Sequence, residues 1–389
     1  MWLNGGALRE GSFAGSAPLY FGRMIRRTWC GGACAFLLNI CLGQVAVPYT
    51  TSAGRFGVFH DLGFDELEQH RPQVVFDNGP RLAYITEHGE LRGWDEGQLI
   101  AYQRGETVDV KSSRGLLAWK QGERLFLAGV AGPKLLCQDA GQFTVNDSLV
   151  AFHNEIDRTL CVHWHGQTIP LADVLMASEA PQWQAGNNTL TFYNRGTRQV
   201  LLFYRGNTEV LCENVDYARV SCGGDVVAYV DDSDDSFKVF ERGERIDLEP
   251  FPPASFKTGL GVVAYVSATG ALRCYADHQV YSLSEYAPTA YDVQDSVVTW
   301  VDNGQLRTID DGKLSTIERY VPESWQVSGG IIAYQDLNRE LRIYHKGQRI
   351  VVTKEAGVKQ FQLVGDAVVW RSNSGATKVW WNGTIYEHY

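Results

Sequence analysis

Along this chain an aromatic residue returns nine times in the same local frame. The anchors are Tyr84, Trp119, Phe152, Phe192, Tyr229, Tyr265, Trp300, Tyr334 and Trp370, at gaps of 35, 33, 40, 37, 36, 35, 34 and 36 residues. A period of that length marks a repeat architecture, in which each unit is too small to bury its own apolar faces and stacks on its neighbours. Two further columns travel with the anchors. Nine residues upstream stand Val75, Val110, Phe143, Trp183, Val220, Phe256, Tyr291, Trp325 and Phe361. Two residues upstream stand Leu82, Leu117, Val150, Leu190, Val227, Val263, Val298, Ile332 and Val368. All are apolar. The residue just before each anchor is small or β-branched, most often Ala.

Positions −2 and 0 share a parity along a strand and position −1 has the other, so these segments are apolar on both faces and predict strands buried on both sides. The small residue at −1 predicts a face where the next layer comes close. In the unit from Trp325 to Glu355, four short strands are separated by turns at Gly329-Gly330, Asp336-Leu337-Asn338 and Lys346-Gly347. Asn303-Gly304 in the preceding unit is a strong hairpin signal. Four antiparallel strands in each repeat are the pattern of a β-propeller blade. The last unit is as apolar as the others, with Val368, Val369, Trp370, Val379, Trp380 and Trp381, which favours a closed ring over a capped solenoid. The expectation is an all-β propeller of four-stranded blades, nine repeats counted, giving eight or nine blades. Upstream, Phe56–Phe59, a turn over 60–63 and Phe64–Leu67 look like strands three and four of a unit without strands one and two; pairing with 384–389 would help close the ring.

The domain reading has three parts. Residues 24–43 read as a secretory signal peptide: Arg26-Arg27 precede an apolar run from Trp29 to Leu42, too short for a membrane span, with cleavage expected before Gln44. Residues 1–23 then read as an extension upstream of the true start at Met24, and 44–389 as a single propeller domain. The localisation expected is export, to the periplasm or cell surface. Removing residues 1–43 takes Arg9, Arg23, Arg26, Arg27 and Glu10 out of 35 basic and 45 acidic residues, which leaves a net charge of −13. An acidic surface excludes nucleic acid and anionic membranes as partners. Five cysteines remain, Cys137, Cys161, Cys212, Cys222 and Cys274. That number is odd and sparse, so it reads as buried small hydrophobes and not as a disulfide framework, with a Cys212–Cys222 bond as the one pairing open to neighbouring strands.

Candidate sites are few. Asp231, Ser233 and Asp235 have the alternate spacing of a Ca²⁺ loop, but no central Gly or closing Glu follows, and a solvated hairpin turn is the preferred reading. Cys161, His163 and His165 share one face of a strand, where adjacent side chains are roughly 7 Å apart and three rarely converge on a metal. Asp77, Asn146, Asn187, Lys257, Asp292 and Gln326 lie near first strands and are candidates for a central channel by position only. Trp94, Tyr193 and the adjacent Trp380-Trp381 are candidate sugar or protein contacts. No catalytic, cofactor-binding or metal-ligating residue is assigned, and no cofactor is expected.

The stretch Val226-Val227-Ala228-Tyr229-Val230-Asp231 with Phe237-Lys238-Val239-Phe240, and again Ile332-Ala333-Tyr334-Gln335-Asp336 with Leu341-Arg342-Ile343-Tyr344, resembles the blades of TolB-like and WD-type bacterial β-propellers. The chain departs from them in lacking the Ser-Pro-Asp-Gly turn and the Trp-Asp signature. The resemblance implies a periplasmic or surface scaffold that binds envelope proteins. The reading is therefore a non-catalytic protein-binding scaffold or accessory subunit of a bacterial cell-envelope complex. The alternative is a carbohydrate-binding or carbohydrate-active propeller, with a small-molecule or glycan ligand in the central channel.

Overall fold

In the computed structural model the anchors lie on the second strands of antiparallel sheets that follow one another around a ring. The structure describes residues 45–389 apart from 78–80, 96, 106–108, 130–131, 174–181, 214–216, 311, 356–357 and 359; the predicted extension and signal peptide lie outside the described residues. Ten sheets are present. Nine have four strands hydrogen-bonded in simple sequence order, and the first has three described strands, Val47–Thr50, Phe56–His60 and Gly63–Glu68. They are called blades 1 to 10 in chain order.

The expectation of eight or nine blades is corrected to ten. Tyr49 is a tenth anchor, 35 residues before Tyr84, with Val47 at −2. Two things conceal it. Pro48 replaces the usual Ala at −1, and the −9 position is Ile40, inside the predicted signal peptide. The Phe56–Phe59 and Phe64–Leu67 segments are the third and fourth strands of this blade, as read. The C-terminal strand Thr384–His388 does not pair with them; it pairs with Thr377–Trp381 as the fourth strand of blade 10.

Local structure follows the sequence closely. Blade 9 runs Trp325–Ser328, Ile331–Gln335, Leu341–His345 and Gln348–Thr353. Asn303 and Gly304 close their hairpin with φ of 50° and 70°, the left-handed pair that a two-residue turn of this hand requires. All five residues of Val262–Val266 are buried, because each face of the strand meets a neighbouring blade.

The ring is held by a repeated face-to-face contact. The anchor face of one blade packs on the small-residue face of the blade before it. Trp300 and Val298 cluster with Ala264 and Cys274; Trp370 and Val368 with Ala333 and Ile343; Tyr265 and Val263 with Ala228 and Val239. The Ala column therefore makes room for the next blade's aromatic ring, which is the physical reason for its small size. Closure uses side chains. Val45, Val47 and Phe59 of blade 1 share a core with Val364, Ala367, Val379 and Trp381 of blade 10, Phe59 and Tyr386 meet with ring centroids 5.0 Å apart, and the Arg371 guanidinium donates to the Thr50 carbonyl.

Three seams add the same polar latch. The Tyr84 hydroxyl donates to Glu68 of the previous blade at 2.7 Å, and Arg92 donates to the same Oε1 at 2.6 Å. Tyr265 and Arg273 meet Glu249 in the same way. Tyr334 donates to Glu318 at 2.8 Å, with Arg342 3.8 Å from that oxygen. The Glu lies 16 residues before the anchor and the Arg eight after it.

Candidate interaction surface

Polar side chains on the first strands tie several blades to the next. Lys111 Nζ donates to the Phe143 carbonyl at 2.7 Å, Ser221 and Thr258 hydroxyls meet at 2.8 Å, and Gln326 both donates to the Phe361 carbonyl and accepts from Leu363 N–H. Five of the six residues singled out for a channel site use their side chains in such contacts, and the sixth, Asn187, contributes its backbone carbonyl. Lys257 reaches Asp292 at 2.9 Å and the Tyr291 carbonyl at 3.0 Å. Asp77 accepts from Gln362 of blade 10, and its burial pushes the carboxyl pKa up. Asn146 donates to the Ala185 and Gly186 carbonyls, and the Asn187 carbonyl accepts from Ser148. Lys257, Asn146 and Gln326 reach the following blade, and Asp77 of blade 2 reaches blade 10, two places round the ring.

At one end of the centre the first turns interlock. Gly224 N–H donates to the Gly259 carbonyl at 2.8 Å, and Leu260 N–H to the Asp295 carbonyl at 2.5 Å. Arg114, in the first turn of blade 3, reaches Asp295 in the first turn of blade 8 at 2.6 Å, and Gly329 N–H donates to the same carboxylate oxygen at 2.9 Å. Blades 3 and 8 stand five apart in a ring of ten, so this ion pair bridges the centre.

The other sequence candidates are placed as follows. In the acidic turn of blade 6, Lys238 Nζ lies 2.7 Å from Asp231 and 3.0 Å from Asp234, and Arg219 lies 2.8 Å from Asp232. The lysine ammonium pairs with Asp231 and Asp234, and the hydrogen bonds from Ser236 and Lys238 draw the exposed Asp234 carboxyl down to about 2. His163 is buried against Thr168 Oγ1 at 3.0 Å, while His165 sits in the following turn with its ring against Trp164. Cys161 lies in the core with Cys137, and burial pushes its thiol up to about 11. Among the described residues no group of His, Cys, Asp or Glu is arranged to hold a metal ion, and the five described cysteines are free, Cys212 and Cys222 included. The adjacent tryptophans are both buried: Trp380 packs toward blade 9 and Trp381 toward blade 1, because a blade has a covered layer on each face. Tyr193 stacks on Tyr217, and Trp94 packs against His60. None of these four aromatics is an open contact.

The open aromatics lie elsewhere. On the side of the ring that carries the second turns and the loops between blades, Phe251 is 64% exposed, Tyr286 74%, Val321 41% and Leu337 72%. They belong to three consecutive blades. Phe251 is in the loop entering blade 7, Tyr286 in the loop entering blade 8, Val321 in the loop entering blade 9, and Leu337 in the second turn of blade 9. A sequence signal for this ledge exists and was missed: Phe251, Tyr286 and Tyr320 each stand 14 residues before their anchor, with Pro253, Pro288 and Pro322 two residues later. Proline fixes φ in these loops, so the exposed side chains are presented with little backbone freedom left to lose on contact. The acidic turn of blade 6 lies on the same side, next to the ledge.

Among the described residues no helix is long and apolar enough to cross a membrane. A family model described as the 10-bladed beta propeller domain matches residues 42–386. No curated protein matches the chain. Solved structures similar to it include the computationally designed Ika8 protein, at 12% identity over 87% of this chain and 100% of that one with a TM-score of 0.37. The CRINKLY WD40 ectodomain of the Arabidopsis thaliana receptor kinase ACR4 is similar at 10% identity over 61% and 93%, TM-score 0.35. Citrobacter koseri AztD is similar at 13% identity over 79% and 93%, TM-score 0.35. At such scores these likenesses bear on neither blade number nor function; the blade number rests on the family match and the ten sheets.

Proposed function

Because the chain belongs to the 10-bladed beta propeller domain family, with polar ties between several of its first strands, we propose that it is a non-catalytic scaffold whose loop side over blades 7 to 9 docks a protein partner. The observation that carries this reading is the ledge of Phe251, Tyr286 and Leu337. Protein surfaces seldom leave adjacent large apolar side chains open on pre-set loops without using them, and aromatic residues are the commonest anchors of interfaces. The acidic turn beside the ledge and the acidic balance of the whole chain favour a partner with a basic rim, through faster encounter and correct register. The finer reading is an exported scaffold of the bacterial cell envelope, akin to TolB-like propellers; the Arg26-Arg27 and apolar run before Gln44 support it. The lateral pairing of Asp77, Asn146, Lys257, Asp292 and Gln326 gives the central carbohydrate site no favouring observation.

Tagged wild type and the triple variant Phe251→Ala/Tyr286→Ala/Leu337→Ala, recovered from cell-envelope extracts, test the reading. The wild type is expected to bring down a stoichiometric protein partner, and the variant, folded by circular dichroism, to lose it at least tenfold. A wild type recovered alone, or a variant that keeps the partner, contradicts it.

A further inference from the structure

On the opposite side of the ring, over blade 7 and between its two neighbours, lies a cleft of about 330 Å³. That is at the small end of ligand pockets, which run to roughly 300–1,000 Å³. Its floor is apolar, formed by Val262, Cys274 and Ile309, and its wall carries Glu241, Arg242, Asp277 and Asp310. Glu241 ends the third strand of blade 6, Asp277 is in the third turn of blade 7, and Asp310 ends the third strand of blade 8.

The charges in this cleft do not balance. Glu241 is only 2% exposed. Its Oε2 accepts the Tyr275 hydroxyl at 2.6 Å. Its Oε1 has no hydrogen-bond donor among the described residues; the nearest cation, Arg242 Nε, stands 3.9 Å away. The Asp277 and Asp310 carboxylates have no ion-pair or hydrogen-bond partner among the described residues. Other carboxylates at the seams hold a cation in hydrogen-bond contact, which Glu241 does not: Glu249 has Arg273, Asp292 has Lys257, and Asp231 has Lys238. Glu241 Oε1 faces the cleft with room for a further donor, and a positive donor makes the strongest hydrogen bond there.

We propose that this cleft binds an organic cation: an ammonium or guanidinium head on a short apolar stem. The head meets Glu241 Oε1 and Asp310, and the stem lies on Val262, Cys274 and Ile309. A bare divalent metal fits poorly, because the Arg242 guanidinium shares the wall and the floor offers no oxygen ligands. The same chemistry arrives either as a free alkylamine or as a lysine or arginine side chain of a polypeptide. The proposal is independent of the ledge, which lies on the other side of the ring.

Titration of the full chain with n-butylamine, with n-butanol and with an end-capped lysine tripeptide, followed by calorimetry, tests it. Saturable binding of the amine or the peptide is expected, with none for butanol. Asp310→Asn and Glu241→Gln are expected to weaken it at least tenfold, and added salt to weaken it further. Binding of the peptide alone assigns the site to a polypeptide side chain; binding of both assigns it to the cation whatever its source. Absence of saturable binding by both cations, equal binding of butanol, or undiminished binding to folded Asp310→Asn overturns the proposal. Because Asp310 is partly exposed and unpaired, its variant keeps the test open should Glu241→Gln fail to fold.

Discussion

Single side chains in this ring act in two ways, as packing volume and as hydrogen-bonded latches. The latches of Tyr84, Tyr265 and Tyr334 place phenols where water is scarce and a carboxylate is the acceptor. Burial first, then the carboxylate, pushes each phenol pKa well above its ordinary value of 10. Tyr49, buried against its own blade with Glu66 and Asp65 nearby, is pushed up to about 12. The folded chain therefore holds protons that the unfolded chain releases. Their contribution is fully present below about pH 10, the unfolded phenol range, and is lost as pH rises through the folded values. Spectrophotometric titration with circular dichroism is expected to show these phenols ionising only as the fold is lost, on the alkaline side of pH 10. Smooth ionisation of all eighteen tyrosines near pH 10 with the fold intact would contradict the latch geometry. The Glu–Tyr–Arg spacing was present in the sequence in three copies. It escaped notice because its Glu belongs to one blade and its Tyr and Arg to the next, so no single repeat displays it.

At the scale of the strand and turn, the first turns set how closely blades approach the centre. A Cβ added at Gly223 would lie 2.2 Å from the Gly259 carbonyl oxygen, and one at Gly259 2.2 Å from the Asp295 carbonyl oxygen. Each turn is thus a socket for the next. Gly223→Ala is expected to destabilise the protein by about 1–3 kcal/mol, the usual range for overpacking, in chemical denaturation, with faster amide exchange confined to the first and second strands of blades 6 and 7. Unchanged stability would mean that these turns do not touch. Strand positions were legible because alternation and turn chemistry are local: the four strands of blade 9 are separated at Gly329-Gly330, Asp336-Leu337-Asn338 and Lys346-Gly347, where the turns were expected. Which aromatics are open was not legible from adjacency. Trp380 and Trp381 had to part company on a strand, yet both are buried because a propeller blade has no free face. Phe251 and Tyr286 lie outside the strand pattern altogether.

For the molecule as a whole, the number of blades was misjudged for the same reason that closure was. Tyr49 carries the anchor, with Val47 at −2 and Ile40 at −9, but Pro48 breaks the small-residue pattern at −1 and Ile40 lies in the segment read as a signal peptide. Blade 1 closes the ring by laying Val47 and Phe59 on Val379 and Trp381, without sharing a strand with blade 10 among the described residues. On the loop side, the ledge over blades 7 to 9 sets Phe251, Tyr286 and Leu337 open to a macromolecule. The most direct test places a photo-crosslinking amino acid singly at positions 251 and 286 on the ledge, and at 314 and 385 on the exposed rim strands, in cells that make the protein. Adducts with one protein partner at 251 and 286, and none at 314 and 385, are what a docking ledge predicts; adducts confined to the rim, or none at 251 and 286, would contradict it.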